Sequence, residues 1–400
     1  MKTMEEILEY ISENDVKFVK LSFCDIFGRQ KNVSVNASYF KEACGEGVEI
    51  DSSAVGFPTG DTFRLYPMVE TITTLPWRPS AGSVVNVICN IGYRDGAPFE
   101  GDCCRVIWDA ERDFAQTGCS ISFMTESEFY ITKLDESGEP TLTPVDRAGY
   151  LDAAPLDRCE NLRRDIVFTL EAMGMEPHSS HHEHGPGQNA VIFRANTAFR
   201  SSVNTLLFRS AVRNIANING LYATFAPSPL EGMIGSNFRI VVDLADRKGA
   251  ANADKTRAFA RGVLARLPEM AIFTNPVRNS YKRLLYKSTP AHLTLNGPLS
   301  AVRTGMGNGK VEILSADTAC NPFVVLALVL EAGREGLEGR APEPVEGATL
   351  PGSLTEAVEA AEKSEFLRRA LPSAPFAIYI DAKRKEAAEL KREDILAAGL

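Results

Sequence analysis

One segment in the last quarter of the chain constrains the fold more than any other: it reads NPFVVLALVLEAGREGL, residues 321–337. As a helix this segment is apolar on nearly all sides, so other protein or lipid must surround it. No apolar run in the chain reaches the roughly 20 residues that are needed to span a bilayer. The segment therefore predicts the central helix of a large folded domain. A chain of 400 residues, 44% of them hydrophobic, can build such a domain.

Charge and cysteine usage exclude several classes of protein. The chain has 43 Lys and Arg against 52 Asp and Glu, a net charge of −9, with no basic tract. Such a chain is a poor electrostatic match for nucleic acid or for an anionic membrane, and we expect neither as a partner. The eight cysteines include no Cys-x-x-Cys pair, which indicates free, mostly buried thiols in a reducing compartment. Since the acidic, amphipathic start is unlike a secretory signal, we expect a cytoplasmic protein.

The pattern of apolar residues predicts two domains. Residues 4–11 have helical spacing, and the alternating runs 16–24 and 31–36, joined by a Gly-containing turn, predict a β-hairpin. A further strand is predicted at 83–91, and residues 94–102 form a turn-rich connector. Beyond it, helical and strand patterns alternate, with one linker-like stretch at 340–352. We predict an α+β protein with a small β-rich domain over 1–102 and a large domain over 103–400.

Two glutamates on a predicted strand are the first candidates for chemistry. Glu126 and Glu128 are two residues apart, so their carboxylates lie on the same face of a strand. Like charges at this spacing repel each other unless a cation lies between them, and carboxylate oxygens suit Mg²⁺ or Mn²⁺. The alternative is a pair of ordinary acids on a solvent-facing edge.

A histidine-rich segment, HSSHHEHGPGQN, could add ligands to that site. It contains four of the five histidines, arranged around Glu183, and its Gly-Pro-Gly turn precedes a second strand. A zinc site is conceivable but has no recognisable spacing signature. The alternative is an exposed polar hairpin.

Two later segments carry further charges. Arg278, Lys282 and Arg283 suit a phosphate or carboxylate, although a solvated basic loop has the same composition. Glu312 lies on a predicted strand, and Asp317 is interpreted as the residue that starts the following helix.

These segments together resemble the glutamine synthetase family, nearly from end to end. The matches, in family order, are VKFVKLSFCDIFGRQKNV, DSSAVGF, GDTFRLYPM, LPWRP, TESEFY, HHEHGPGQN, TFAPSPLEGMIGSNFRI, NPVRNSYKRL, SADTACNPFVVLALVLEAGREGL and LPGSLTEAVEAAEKSEFLRRAL. The resemblance implies an N-terminal β-grasp-like domain and a C-terminal catalytic α/β domain. It also implies rings of identical subunits, with each active site between neighbouring subunits.

The family reaction joins glutamate and ammonia with ATP, through a γ-glutamyl phosphate, and uses two or three divalent cations. The resemblance places Asp51 at the ammonium site, Gly235 in the substrate loop, His181 near the nucleotide, and Arg283 at the phosphate. It also implies four metal ligands: Glu126, Glu128, Glu183 and Glu312.

Several family residues are replaced. A metal-ligand glutamate is Ala190, a metal-ligand histidine is Arg239, and the flap glutamate is Thr289. The substrate-loop asparagine is Ile234, and a second histidine is Val241. Within the R-x-E-x-R motif the last arginine is Leu314 while Lys310 keeps the first charge, and Arg303 is the remaining candidate for a lost arginine pair.

Arg239 is the replacement that most affects the expected metal site. A guanidinium has no lone pair to offer a metal, so we interpret Arg239 as a permanent counter-charge in place of one cation. The alternative is that Arg239 turns away and the metal binds regardless. The remaining site, with Glu128 and Glu183 but no third carboxylate, should bind Mg or Mn, and with it ATP, more weakly than in the family.

The resemblance and its departures leave three functions open. The first is an altered ATP-dependent carboxylate–amine ligase, or a phosphotransferase, whose substrate is not glutamate. A more apolar amino acid or amine would suit Ile234, Val241 and Leu314. The second is a catalytically silent, ring-forming relative with a scaffold or regulatory role. The third is an ordinary glutamate–ammonia ligase.

Overall fold

A computed structural model describes residues 3–58, 60–78, 82–305, 309–345 and 347–389. Its α-helices, in chain order, are α1 Met4–Glu13, α2 Phe40–Glu46, α3 Cys103–Ala115, α4 Glu160–Ala172, α5 Ala198–Ile218, α6 Ala253–Thr274, α7 Arg278–Leu284, α8 Pro322–Leu337, α9 Leu354–Lys363, α10 Glu365–Ala370 and α11 Ser373–Ala388. Its strands are β1 Val16–Cys24, β2 Gln30–Asn36, β3 Val48–Asp51, β4 Thr62–Pro67, β5 Thr73–Thr74, β6 Ser83–Gly92, β7 Cys119–Leu134, β8 Pro140–Pro144, β9 Pro177–His182, β10 Gln188–Phe193, β11 Leu221–Thr224, β12 Phe238–Asp246, β13 His292–Leu295, β14 Ser300–Thr304 and β15 Lys310–Ile313.

The N-terminal sheet follows the predicted hairpin. Strands β1 and β2 pair antiparallel, and β1 also pairs in parallel with β6, which gives the order β2-β1-β6-β4-β3 with β5 beside β6. Helix α1 starts at Thr3, whose hydroxyl accepts the Glu6 amide while the Glu6 carboxylate accepts the Thr3 amide. Ile7 and Ile11 of this helix are buried. The short amphipathic helix and the hairpin are both confirmed.

The second sheet is larger and is organised around one long strand. Strand β7 pairs with β12 on one side and β10 on the other, within the order β13-β14-β15-β12-β7-β10-β9. Strands β8 and β11 also pair with β7. Because β7 is central, side chains from β10, β12 and β15 can meet on the face that carries Glu126 and Glu128.

Helix α8 is the buried helix that the apolar segment predicted. Twelve of its sixteen residues are buried, and it packs against α3, α5 and α6. Backbone contact between α6 and α8 requires small residues: a Cβ on Gly262 would lie 2.3 Å from the carbonyl oxygen of Ala332. The prediction that Asp317 starts this helix is wrong. Asn321 is its N-cap and accepts the amides of Phe323 and Val324, because Asp317 lies too far upstream.

The structure agrees with an α+β fold that has an N-terminal β domain and a larger C-terminal domain of mixed sheet and helices. All eight cysteines are free and six are buried. Among the described residues no helix is both long and apolar enough to cross a membrane. The linker-like stretch 340–352 has no helix or strand in its described residues, and residue 346 lies outside them.

Candidate active site

Strand register brings the acidic side chains of the sheet together. Glu126 of β7 lies opposite Arg239 of β12 on one side and opposite Ile192 of β10 on the other. Glu128, two residues further along β7, lies opposite Ala190. Directly opposed residues of antiparallel strands project to the same face. The face therefore collects two carboxylates and one guanidinium before any loop contributes.

Arg239 points into this cluster and makes two ion pairs. Its Nη1 donates to Glu126 Oε2 at 2.8 Å, and its Nη2 donates to Glu312 Oε1 at 2.9 Å. Burial disfavours the charged form, but the hydrogen bond and charge of Glu126, with those of Glu312, raise the pKa of Arg239. The guanidinium thus occupies the space between two carboxylates that would otherwise repel each other.

Glu126, His181 and Glu183 form the part of the cluster that fits a metal ion. Their ligand atoms all lie within 4.8 Å of one another. His181 Nε2 is 2.6 Å from Glu183 Oε1 and 3.9 Å from Glu126 Oε1. Two carboxylates and one imidazole suit a divalent cation such as Mn²⁺ or Zn²⁺. His181 therefore lies in the acidic cluster, on the hairpin strand that precedes Glu183.

Histidines also set the ionisation of Glu183. Burial opposes its charge, but hydrogen bonds from His181 and His184 lower the pKa of Glu183 below its usual value. The hydrogen bond to Glu183 in turn raises the pKa of His181. Each group favours the charged form of the other, so the cluster keeps at least one carboxylate ionised.

Glu128 is held within the protein by three hydrogen bonds. Its Oε2 accepts Gln188 Nε2 at 2.8 Å and the Asn237 amide at 2.9 Å, while its Oε1 accepts Asn237 Nδ2 at 2.9 Å. Burial, followed by the nearby charge of Glu183, raises the pKa of Glu128 to about 8. Because both oxygens of Glu128 already accept hydrogen bonds from the protein, this carboxyl has fewer lone pairs free for a metal ion. The ligand atoms that converge within 4.8 Å are those of Glu126, His181 and Glu183, and the role of Glu128 as a metal ligand stays a prediction.

Gln188 and Asn237 were missed as site residues. Gln188 lies in the HHEHGPGQN segment, two residues before Ala190, and Asn237 lies two residues before Arg239. Asn237 lies between Glu128 and Arg283 and accepts a hydrogen bond from Arg283 Nη1 through its side-chain oxygen. In the sequence, Asn237 lies in the segment GSNFR between Gly235 and Arg239, and nothing but this position distinguishes it from an ordinary loop residue.

Arg283 is wholly buried, and protein groups occupy its guanidinium. Besides Asn237, it donates to Asn275 Oδ1 at 2.9 Å and to the Ser315 carbonyl, and its Nε is 3.9 Å from Asp317 Oδ2. Burial lowers the pKa of Arg283, opposed by the charges of Asp317 and Glu128. The guanidinium is inaccessible to a phosphate in this conformation.

The predicted basic cluster is not a single site. Helix α7 buries Arg283 and leaves Lys282 exposed, while Arg278 donates to the carbonyls of Glu386 and Glu389 near the C-terminus. The three cations do not converge on one point: Lys282 and Arg283 are successive helical positions that point in different directions, and the two carbonyls near the C-terminus hold Arg278. The alternative of a solvated loop is wrong, since the segment is a helix.

Gly235 and Thr289 both contact Arg283. A Cβ on Gly235 would lie 2.3 Å from Arg283 Cγ and 2.2 Å from the Pro227 carbonyl oxygen, so the backbone approach excludes any side chain. Thr289 is buried, and its hydroxyl donates to the Arg283 carbonyl at 2.8 Å. The absence of a side chain at Gly235 lets the backbone approach Arg283, and the hydroxyl of Thr289 holds the Arg283 carbonyl.

The remaining replaced positions are spread along the same sheet. Ala190 and Val241 are buried, whereas Ile234 and Leu314 are half-buried. Arg303 is exposed and lies opposite Glu312 in the β14–β15 pairing, and Lys310 is exposed at the start of β15.

Asp51 lies in the other sheet, at the end of β3. It is exposed, and its Oδ1 accepts the Ser53 amide at 2.9 Å, which, with the Ser53 hydroxyl, lowers the pKa of Asp51. Over the described ranges, its recorded hydrogen bonds stay within its own loop. Within the described residues, Asp51 therefore makes no hydrogen bond or ion pair with the acidic cluster of its own chain.

A second acidic group, Asp146, Asp157 and Cys159, is structural. Asp146 accepts His182 Nε2 at 3.1 Å and the Gly187 amide at 2.7 Å, and Asp157 pairs with Arg163 at 2.5 Å. These hydrogen bonds occupy the acceptors and hold the loop that precedes α4.

Comparisons with known proteins identify the family. Residues 15–93 match the profile of the glutamine synthetase beta-Grasp domain, and residues 101–394 match that of the glutamine synthetase catalytic domain. The chain is 34% identical to glutamine synthetase of Clostridium saccharobutylicum over 96% of this chain and 95% of that protein. It is also 34% identical to glutamine synthetase of Methanosarcina mazei over 97% and 95%.

Solved structures show the same fold. A GmaS/ADP complex has a TM-score of 0.86 at 24% identity and covers 96% of each chain. A structure described as a novel glutamine synthase homolog has a TM-score of 0.83 at 22% identity, covering 96% of this chain and 97% of that chain. Family members use ATP and divalent metals and are typically oligomeric. From its sequence matches over both domains, this chain belongs to the glutamine synthetase family.

Proposed function

We propose that the protein is an ATP-dependent carboxylate–amine ligase, or a related phosphotransferase, that works with fewer divalent cations than its relatives and on a substrate other than glutamate. The observation that carries this proposal is the position of Arg239 between Glu126 and Glu312. A fixed guanidinium supplies there the positive charge that relatives obtain from a metal.

The remaining cation site supports retained phosphate chemistry. Glu126, His181 and Glu183 would hold one divalent cation, which when bound supplies charge neutralisation for phosphate oxygens. Arg239 holds Glu126 and Glu312 in place through two ion pairs, and it can donate hydrogen bonds to an anion from its 33% exposed side chain. Phosphoryl transfer depends mainly on positioning and charge stabilisation, which this arrangement provides.

The replacement of two polar side chains of relatives by apolar ones supports a different substrate. The resemblance places Ile234 and Leu314 where relatives carry an asparagine and an arginine for their substrate. An apolar side chain cannot pair with a carboxylate, so a substrate with a less polar end fits these positions better than glutamate.

The neighbouring subunit would complete the site. Asp51 is exposed and makes no recorded contact with the acidic cluster of its own chain, within the part that the structure describes. We propose a ring-shaped homo-oligomer in which Asp51 of one copy faces the acidic cluster of the next, as the family resemblance implies.

A catalytically silent relative is the second candidate. The burial of Arg283 and the three internal hydrogen bonds of Glu128 favour it, because neither group is available to a nucleotide or a metal as placed. A scaffold or regulatory role would need the fold and the oligomer but not the chemistry.

The test is phosphate release from ATP with Mn²⁺ across a panel of carboxylic acids and amines, including glutamate with ammonia. The proposal expects release that depends on one acid–amine pair and is lost in Glu183→Gln, with the exposed Glu359→Gln as the matched control. Calorimetry without binding heat for ATP and Mn²⁺ would favour the silent relative. Turnover with glutamate and ammonia at the rate of the relatives would contradict the altered substrate.

A further inference from the structure

A cavity lies between the N-terminal sheet and helices α5 and α11, away from the acidic cluster. It has a volume of about 680 Å³. One wall comes from β1, β2 and the Trp77–Arg78 segment of the N-terminal domain, and the other comes from α5 and α11 of the C-terminal domain. Volumes of 300–1,000 Å³ are typical of small-molecule sites. None of the residues in the acidic cluster lines it.

The walls of this cavity are strongly basic in an acidic protein. The N-terminal wall contributes Lys20, Arg29, Lys31 and Arg78, and the C-terminal wall contributes Arg209, Arg213 and Lys383. Glu386 is the one carboxylate among the described lining residues, and it pairs with Lys383 at 2.8 Å. Seven cations against one acid is a large local excess in a chain of net charge −9.

Most of these cations have no carboxylate partner. Within the part of the chain that the structure describes, five of the seven cations make no ion pair within 4 Å: Lys20, Arg29, Lys31, Arg78 and Arg209. Asp25 is close to Arg29 and Lys31, but its Oδ1 accepts the amides of Phe27 and Arg29 and it does not line the cavity.

Arg209 is the most telling of them. It is 7% exposed, its Nη2 donates to the Cys320 carbonyl at 3.0 Å, and its Nε is buried with no hydrogen-bond partner among the described residues. Burial and the charge of Arg78 lower the pKa of Lys20, while burial and the charge of Arg209 lower the pKa of Arg213 to about 10. Cations that repel one another in a partly buried space are stabilised by a bound anion.

We propose that this cavity is a binding site for a small organic anion with several charges, separate from the candidate active site. Trp77, Phe27 and Phe225 also line the cavity and offer flat surfaces for an organic portion. Since both domains contribute cations, the anion would hold them together, as a regulatory ligand does. The inference does not rest on the activity proposed above.

A structural path connects the cavity to the candidate active site. Thr318 and Ala319 line the cavity, and the preceding residue, Asp317, is 3.9 Å from the buried Nε of Arg283. An anion against Thr318 and Ala319 would therefore lie next to the group that holds Asn237 and, through it, Glu128.

The test is isothermal titration calorimetry of the full chain after passage over a chelating resin, which removes divalent cations from the acidic cluster and leaves no chelator in solution. Tripolyphosphate and citrate serve as phosphate and carboxylate probes, and the tighter probe identifies the ligand class. We expect saturable binding by at least one probe that weakens at least tenfold in Lys20→Gln/Arg78→Gln. The matched control, Lys41→Gln/Lys248→Gln, removes two exposed charges elsewhere and should leave the affinity unchanged.

A second variant separates this cavity from the acidic cluster. Glu126→Gln/Glu183→Gln should bind the probe as tightly as the unaltered protein. Absence of saturable binding by both probes would overturn the proposal, as would equal affinity in Lys20→Gln/Arg78→Gln. A cavity filled by a second copy of the chain would instead appear as a change in oligomer size in Lys20→Gln/Arg78→Gln, and that result would also overturn it.

Discussion

Arg239 lies directly opposite Glu126 across the β7–β12 pairing, and its Nη1 donates to Glu126 Oε2 at 2.8 Å. This pair links the sheet register to the chemistry of the site. The strand register alone places the side chain at position 239 on the same face as Glu126, with no contribution from a loop. The family resemblance implies a metal-ligand imidazole at this position, and the guanidinium present here has no lone pair to offer a metal.

Restoring the imidazole should change the number of bound metal ions. We expect the unaltered protein to bind one Mn²⁺ per chain and Arg239→His to bind a second, because Glu126 and Glu312 lose their fixed counter-charge. Mn²⁺ titration followed by electron paramagnetic resonance counts the ions. Two or more Mn²⁺ in the unaltered protein would show that Arg239 moves aside. Lys363→His, an exposed position on α9, is the control.

Gly235→Ala should destabilise the protein. The added methyl group would lie 2.2 Å from the Pro227 carbonyl oxygen and 2.3 Å from Arg283 Cγ, both in a buried region. We expect a loss of roughly 1–3 kcal/mol in the free energy of unfolding, as for other overpacked sites. Urea denaturation measures it. Gly45→Ala is the control, because a Cβ there meets nothing within 4 Å and alanine favours the helix, so its stability should not fall.

Asn321→Ala should cost roughly 0.5–2 kcal/mol of stability, the usual effect of removing an N-cap. The side-chain oxygen of Asn321 accepts the amides of Phe323 and Val324 at the start of α8. Asn321→Ser keeps an acceptor at the same position and should recover most of the loss. Thermal or urea unfolding of both variants decides the matter: equal stability of the alanine and serine variants would mean that the cap contributes little.

Asp102 should make stability depend on pH. Burial raises the pKa of Asp102 to about 7, although the amides of Ile91 and Cys104 donate to its carboxylate. Between the unfolded pKa of about 3.9 and this folded value, the folded state holds the proton more strongly than the unfolded state. The contribution of Asp102 to stability is therefore fully present below about pH 4 and is lost as the pH rises to about 7.

Asp102→Asn removes this titration. We expect the free energy of unfolding of the variant, relative to the unaltered protein, to increase from pH 4 to pH 7 and to stay level above it. The change should be of the order of 3–4 kcal/mol at most, since one pKa unit corresponds to about 1.4 kcal/mol. Urea unfolding at several pH values measures the difference. A pH-independent difference would mean that Asp102 is ionised throughout this range.

Periodicity and turn residues predicted most of the elements. The alternating runs at 16–24 and 31–36 and the apolar segment at 321–337 appear as β1, β2 and α8. Boundaries are less well determined by the sequence: the pattern of residues 204–220 predicts a helix, but α5 begins at Ala198, where Thr197 accepts the Arg200 amide as its N-cap. The domain boundary at 102–103 stays a prediction, next to family matches that end at 93 and resume at 101. The Lys- and Glu-rich residues 390–400 lie outside the described part of the chain.

Local pattern determined the residue types at the site and the faces on which they lie. Period two puts Glu126 and Glu128 on one side of a strand, and the Gly-Pro-Gly turn brings His181 and Glu183 beside it. Only the tertiary structure decided which of these groups are available. Glu128 and Arg283 are charged residues in the sequence, but burial and the partners Asn237, Gln188, Asn275 and Ser315 occupy them. Desolvation and hydrogen bonding depend on groups distant in the chain, and pairing across strands is what brought Arg239 between its two carboxylates.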